Sequence, residues 1–436
     1  MTINSLKTDL SLLAAVVLLV WAVVVIPFGR AIEIPLGILS VFGVVALLRF
    51  YRADAVSLPP LVPWPSLVAL YAAFVLPMLL SLPDAVALEK STITTVGTLR
   101  YLLLAVSLLW LVQSSASPEH AQRALLNSVA LAVTVCILVW CCDGLVQFLT
   151  GRNALGYGLG EGYVNGLFGD DDNIKFGVTV ALLSPIALLY ALREWGLKVF
   201  LPLLMLILLM VMLSGKRAAW IALAAELSCL FAYYLFRGRI FAGRLLIALS
   251  LVAVVLVGAY FSSDWVQQRS DVLVEALDAR DYASLNQATG KRLPIWQTAV
   301  RMGQDNWVNG VGPRGFRFAY AVYADADDHW AAPGAYHVGS RASHAHQLIL
   351  DLWAETGVVG ILSYGLMLWV LWRCFHGASP AARSRALPYA LALVGTLFPI
   401  NTHTSWYSSA AALQLWLLLG LFLFAMAETI PPDTDA

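Results

Sequence analysis

Apolar runs of about 20 residues follow one another along most of this chain, the length an α-helix needs to cross a hydrocarbon layer about 30 Å thick. That feature decides the fold class. Inside a bilayer every backbone N–H and C=O must be paired within the protein, so only helices and closed barrels can span it. The runs are far too long for barrel strands, which need about 10 residues. Composition agrees: 60% of the 436 residues are hydrophobic and 12% are charged, whereas a soluble domain is about a quarter charged. The chain reads as an all-α polytopic membrane protein.

Twelve transmembrane helices are expected, at 9–28, 31–50, 61–82, 92–112, 123–149, 174–193, 199–213, 217–236, 241–260, 352–373, 386–400 and 408–427. The first run lacks a small-x-small cleavage site and further spans follow it, so it reads as a span and not a cleaved signal. Lys and Arg collect on cytoplasmic loops. One side gathers Lys7, Arg49, Arg52, Arg123, Arg193, Lys198, Arg237, Arg239, Arg244, Arg373, Arg383 and Arg385, which sets both termini inside. This leaves one long outer segment and three regions: spans one to nine over 1–260, the outer loop over 261–351, and spans ten to twelve with the tail over 352–436.

Formal net charge is zero and no basic stripe with interleaved aromatics occurs, so nucleic acid is not an expected partner. The cysteines Cys136, Cys141, Cys142, Cys229 and Cys374 all lie outside the long loop, so no disulfide is expected there. No internal repeat or inverted symmetry suggests a transporter.

Three polar features stand at the outer edge. The first is Ser214-Gly215-Lys216-Arg217-Ala218-Ala219-Trp220, between two spans with almost no loop. Arg217 would begin a helix, where free N–H groups favour an anion and a guanidinium suits phosphate geometry. The plain alternative is that Lys216 and Arg217 reach outward to lipid headgroups. The second is Lys291-Arg292, with Trp296 one helical turn beyond Arg292. The third is SHAHQLILDLWAETG, residues 343–357. A helix through it would put His346, Leu350 and Trp353 on one stripe, with Glu355 near the opposite face. Neutral imidazole is the usual general base near neutral pH. His344 is the alternative base or a positioning group, and Asp351 receives no role.

Weaker candidates remain. Arg100 lies inside the fourth span, with Asp143 of the fifth span its expected partner. Arg314, in the glycine-rich turn Asn309-Gly310-Val311-Gly312-Pro313-Arg314-Gly315-Phe316, is a secondary substrate contact. Residues 318–343 look like irregular surface, with Tyr320, Tyr323, Trp330 and Tyr336 available for stacking. Gly169-Asp170-Asp171-Asp172-Asn173 reads as a solvated turn, and Asp325, Asp327, Asp328 and His329 lack the fixed spacing of metal ligands, so no metal is expected.

Taken together, many spans, one late outer loop and the motif His346, Leu350, Asp351, Glu355, Gly357 resemble the O-antigen ligase and polymerase superfamily. Ser214-x-Lys216-Arg217-x-x-Trp220, Gly290-Lys291-Arg292-x-x-x-Trp296 and Gly310-x-Gly312-x-x-x-Phe316 are similar to other segments of that family. Position 351 departs from it, since many relatives carry Gln there. The resemblance implies a GT-C-like membrane glycosyltransferase, with a mainly helical periplasmic loop, in a bacterial inner membrane. It would move a glycan from undecaprenyl pyrophosphate to lipid A–core, without a cofactor. His346 would be the base, and Arg217, Arg292 and Lys216 would hold pyrophosphate, with His344, Lys291, Arg314 and Arg100 secondary. The leaving pyrophosphate needs cations, which arginines supply without a metal. Attack from the far side of the anomeric carbon predicts inversion in one displacement. A polymerase, a protein O-oligosaccharyltransferase and a lipid-linked glycan transporter are the alternatives.

Overall fold

The computed structural model describes residues 3–52, 63–114, 117–160, 162–169, 176–236, 258, 260–261, 264–331, 342–402 and 405–428. Among these the secondary structure is α-helix with short 3-10 turns and no strand; the extended pairings are isolated bridges, Arg152 with Gly158 and Gly160 with Tyr163. The helices are α1 (Ile3–Val24), α2 (Glu33–Arg52), α3 (Trp64–Ser81), α4 (Leu88–Gly97), α5 (Leu99–Ser114), α6 (Pro118–Thr150), α7 (Phe176–Glu194), α8 (Leu197–Leu213) and α9 (Arg217–Leu235). They continue as α10 (Asp264–Ala279), α11 (Tyr282–Ala288), α12 (Leu293–Asp305), α13 (Phe316–Tyr323), α14 (Leu348–Gly377), α15 (Pro380–Leu397) and α16 (Ser409–Met426).

Eight stretches among the described residues are long and apolar enough to cross a membrane: Ile26–Leu48, Trp64–Ser81, Leu88–Trp110, Pro118–Thr150, Phe176–Glu194, Arg217–Leu235, Leu348–Gly377 and Ser409–Met426. Leu10–Val24 and Leu197–Leu213 are apolar but shorter. α15 covers most of the expected span 386–400 but is not among these stretches; its first turns carry Arg383 and Arg385, which dilute its apolar character. Most of the expected span 241–260 lies outside the described residues. The protein is thus an all-α, multi-pass membrane protein.

The chain folds as two compact units, each assembled from three separated segments. The first comprises Met1–Leu39, Leu111–Glu275 and Leu387–Phe398. In it α7 packs against α6, α8 and α9, and α1 lies along α6. Almost every residue of α7 is buried, which its apolar face on all sides permits.

The second unit comprises Ser40–Trp110, Ala276–Ala386 and Pro399–Ala436. Here α14 packs along α3 and receives α12 and α13. A buried cluster joins Ile295, Ala299 and Met302 of α12 to Val311, Phe316, Ala319, Tyr320, Ala342, Ala345 and Ala354. α12 is strongly two-faced, so its apolar side supplies one wall of this cluster.

α14 is broken at Gly357, which has φ +61° and ψ −154°, a conformation essentially restricted to glycine. A break in an apolar helix leaves backbone groups that water cannot satisfy. The strap Trp307–Gly312 completes them. Val358 and Val359 donate to the carbonyls of Trp307 and Val308 at 2.8 and 3.2 Å, while Val311 and Gly312 donate to those of Ala354 and Glu355 at 2.9 and 3.0 Å. A Cβ on Gly357 would stand 2.5 Å from the Val308 carbonyl, and one on Gly310 would stand 2.3 Å from the Glu355 carbonyl carbon. Gly357 therefore admits a crossing loop.

Candidate functional site

In the first unit the turn between α8 and α9 is closed by the residues of its motif. Ser214 Oγ donates to the Val211 carbonyl at 2.7 Å and Trp220 Nε1 donates to the same oxygen at 2.9 Å. Gly215, at φ +66°, makes the reversal. Arg217 begins α9 as expected, with Lys216 as its N-cap residue. The Lys216 ammonium sits 3.8 Å from the centre of the Tyr163 ring, so an aromatic face holds it. Ser214 is seated directly on Gly177 of α7, where a Cβ would fall 1.9 Å from its hydroxyl.

In the second unit both histidines precede the helix. α14 starts at Leu348, and the Gln347 side chain caps it by accepting the Leu350 N–H at 2.6 Å. The expected stripe of His346, Leu350 and Trp353 on one helix face is therefore not formed. An N-cap residue has non-helical backbone, and His346 before it is left-handed at φ +52°. The turn instead brings the rings of His344 and His346 together, with centres 3.8 Å apart and planes tilted by 43°. Ser343 Oγ lies 2.9 Å from His344 Nδ1. Gln347 Nε2 also donates to the Pro399 carbonyl at 3.0 Å, and the Leu348 N–H to that of Asn401 at 3.0 Å. The histidine segment is thus fastened at its C-terminal end.

Arg292 is the residue before α12, and its carbonyl accepts the Trp296 N–H at 2.9 Å. The expected shared turn is present. Lys291 is exposed, and its carbonyl accepts Trp330 Nε1 at 2.9 Å. Ile295 and Ala299 of α12 share the buried cluster with Ala342 and Ala345. The helix that Arg292 opens and the segment carrying the histidines are therefore packed on one core.

Four non-glycine residues among those described have φ between +52° and +64°: Arg280, Lys291, Arg314 and His346. Three of the four belong to the sequence-predicted site. Left-handed backbone at a residue with a Cβ stores strain, and such strain concentrates at functional sites. At Arg314 the surrounding turn is held by Glu355, fully buried in α14, which accepts the N–H groups of Arg314 and Phe316. Arg317 is half-buried beside it. Burial and the neighbouring Arg314 charge push the Arg317 pKa down, and Glu355 partly offsets them.

Asp351, one turn before Glu355 and 1% exposed, accepts the Ala345 N–H at 3.1 Å and the Trp406 N–H at 2.8 Å. Sequence reasoning gave it no role and read Glu355 only as too far round the helix from His346. The available signal was two carboxylates four residues apart in an apolar run, because burying a carboxylate is costly unless N–H groups meet it.

Other expectations are redirected. Arg100 in α5 bonds the Tyr101 hydroxyl at 3.1 Å and also the Ser409 hydroxyl. Asp143 of α6 accepts the Ala154 N–H at 2.9 Å. Each thus has local partners of its own. Residues 316–323 form α13 where irregular surface was expected. Tyr320 is buried, and its hydroxyl donates to Asp328 at 2.7 Å. Tyr323 accepts from Asn306 Nδ2 at 2.9 Å, so these aromatics serve the core and not an open stacking face. Tyr336 and Asp170-Asp171-Asp172 lie outside the described residues. Asp325 is engaged by Arg301 through two bonds of 2.7 and 3.0 Å, which hold its carboxyl below the usual carboxylate range.

No curated protein matches the chain. Residues 202–365 match a family model described as O-antigen ligase. The matched segment runs from α8 into α14 and contains Lys216, Arg217, Lys291, Arg292, Arg314, His344, His346 and the Gly357 break. That match spans less than half of the chain and supports membership of the O-antigen ligase and polymerase superfamily.

Proposed function

We propose that the protein is an O-antigen ligase, transferring a glycan from undecaprenyl pyrophosphate to lipid A–core on the periplasmic face of a bacterial inner membrane. In this reading residues 261–351 form the periplasmic loop and both termini are cytoplasmic. The observation that carries it is the facing pair of imidazoles, 3.8 Å between centres, on a left-handed turn anchored in the core that α12 shares.

His346 accepts the proton of the acceptor hydroxyl as that oxygen bonds to the anomeric carbon. The bond from the anomeric carbon to the phosphate oxygen breaks, and its electron pair leaves with undecaprenyl pyrophosphate. Attack and departure on opposite faces invert the anomeric centre. Arg292 and, in its own unit, Arg217 with Lys216 meet pyrophosphate charge, which develops in the transition state and is best stabilised by preorganised cations. His344 holds the neighbouring ring and is the alternative base. The donor is already activated, so the step needs no cofactor.

The test is a ligase-deficient Gram-negative host carrying His346→Ala. A base contributes about 10²–10⁴ in rate, so lipopolysaccharide on a gel should lose its capped, long-chain forms. Full capping would exclude His346 as the base. Purified protein given lipid-linked glycan with either lipid A–core, a second lipid-linked unit or an acceptor peptide separates ligase from polymerase and from protein glycosylation. Turnover in detergent, with no two sides, excludes pure transport.

A further inference from the structure

We propose that Asp351 is a positioning residue for the histidine pair: by holding the Ala345 N–H it fixes the spacing and tilt of the His344 and His346 rings. Its effect on rate rests on the transfer reading above; its effect on geometry does not.

Ala345 lies between the two histidines and is fully buried, so its N–H has no access to water. Asp351 Oδ1 is its acceptor at 3.1 Å. The second oxygen, Oδ2, accepts the Trp406 N–H at 2.8 Å and ties the same carboxylate to the loop between α15 and α16. Trp406 packs edge-on against Tyr364 and tilted against Phe74, and the adjacent Tyr407 shares a 3.1 Å hydrogen bond with Thr356. One side chain therefore connects the turn between the two imidazoles to the packed aromatic residues Trp406 and Tyr407 of the second unit. His346 is left-handed at φ +52°, a conformation that persists only where the surroundings over-determine it. The Asp351 bond is such a constraint.

The helix start does not need Asp351, because Gln347 already caps it through the Leu350 N–H. The role is thus separable from helix stability. Both oxygens must accept, and an ionised carboxylate offers two oxygens that accept and none that donates. An Asn at this position would keep one bond and set its own N–H₂ against a second buried N–H donor. A Glu keeps both acceptors on a longer arm. Arg314 and the Glu355 carboxyl are charged groups whose fields reach the Asp351 carboxylate.

The experiment uses full-length protein in detergent with histidine labelled at Cε1, the two signals assigned with His344→Ala and His346→Ala. In Asp351→Asn both signals should leave their wild-type positions while the remaining histidines stay in place. In the transfer assay kcat should fall about 10- to 100-fold, the scale of a reacting group misplaced by about 1 Å. The donor KM should stay within about twofold, and Asp351→Glu should recover part of the loss. Unmoved His344 and His346 signals in Asp351→Asn overturn the proposal. If Asp351→Asn fails to fold, Asp351→Glu decides: its longer arm should displace the His344 and His346 signals while the remaining histidines stay in place, and both signals at their wild-type positions overturn the proposal. Retained transfer by His346→Ala would sink the base assignment and leave the spectral result standing.

Discussion

Gly357→Ala tests how the broken helix is held. At φ +61° and ψ −154° this residue occupies backbone space that side chains exclude, at about 1–3 kcal/mol. The new Cβ would stand 2.5 Å from the Val308 carbonyl and 2.7 Å from the Asn309 nitrogen, backbone atoms that cannot rotate away. The strap must lift. Two of its four hydrogen bonds run through the adjacent Val358 and Val359, and losing both adds about 1–3 kcal/mol at about 0.5–1.5 each. The sum, about 2–6 kcal/mol, is a large share of a typical stability of about 5–15 kcal/mol. Thermal unfolding in detergent should therefore drop by at least about 4 °C at about 2–4 °C per kcal/mol. Gly365→Ala in the same helix is the control, because nothing lies within 4 Å of its would-be Cβ. If both variants melt with the wild type, the strap does not need the glycine and the account of the break is wrong.

Further outcomes follow from the other contacts. Gly177→Ala drives a Cβ to 1.9 Å from the Ser214 hydroxyl, so overpacking should cost about 1–3 kcal/mol in melting and raise the donor KM if Arg217 binds phosphate. Trp220→Phe removes the 2.9 Å bond to the Val211 carbonyl and should cost about 1 kcal/mol, read by the same melt. Arg292→Gln should raise the donor KM about tenfold, the value of one charge-assisted contact; an unchanged KM removes Arg292 from the site. Asp325 has a lowered folded pKa because of Arg301, so its contribution is present above its unfolded value and lost as pH falls through the folded one. Arg301→Gln should accordingly melt below the wild type at neutral pH, with the gap closing under strong acid; a gap constant with pH would refute the pairing.

Much of this architecture was legible in one dimension. The apolar runs announce helices because a bilayer admits little else, and α3, α6, α7, α9, α14 and α16 stand close to where hydropathy puts them. Arg217 as the first residue of α9 and the shared turn of Arg292 and Trp296 also follow from local pattern. These are properties of neighbours along the chain, so spacing suffices to read them.

The site's arrangement was decided by contacts between distant segments. Hydropathy continues through Gly357 without interruption, yet α14 breaks there because residues 307–312 arrive to take its backbone groups. Helical phase carried back from α14 puts His346 on a stripe, but the Gln347 cap and the Asp351–Ala345 bond turn the chain and face the two imidazoles toward each other. Asp351 and Glu355 look like stray charges in an apolar run, and only the N–H groups folded onto them explain their burial. What the sequence by itself determined was the helical membrane class and the residue types of the site. Tertiary structure alone decided which backbone groups meet those carboxylates, since a buried acceptor selects its donor by proximity in space and carries no mark of it in the chain.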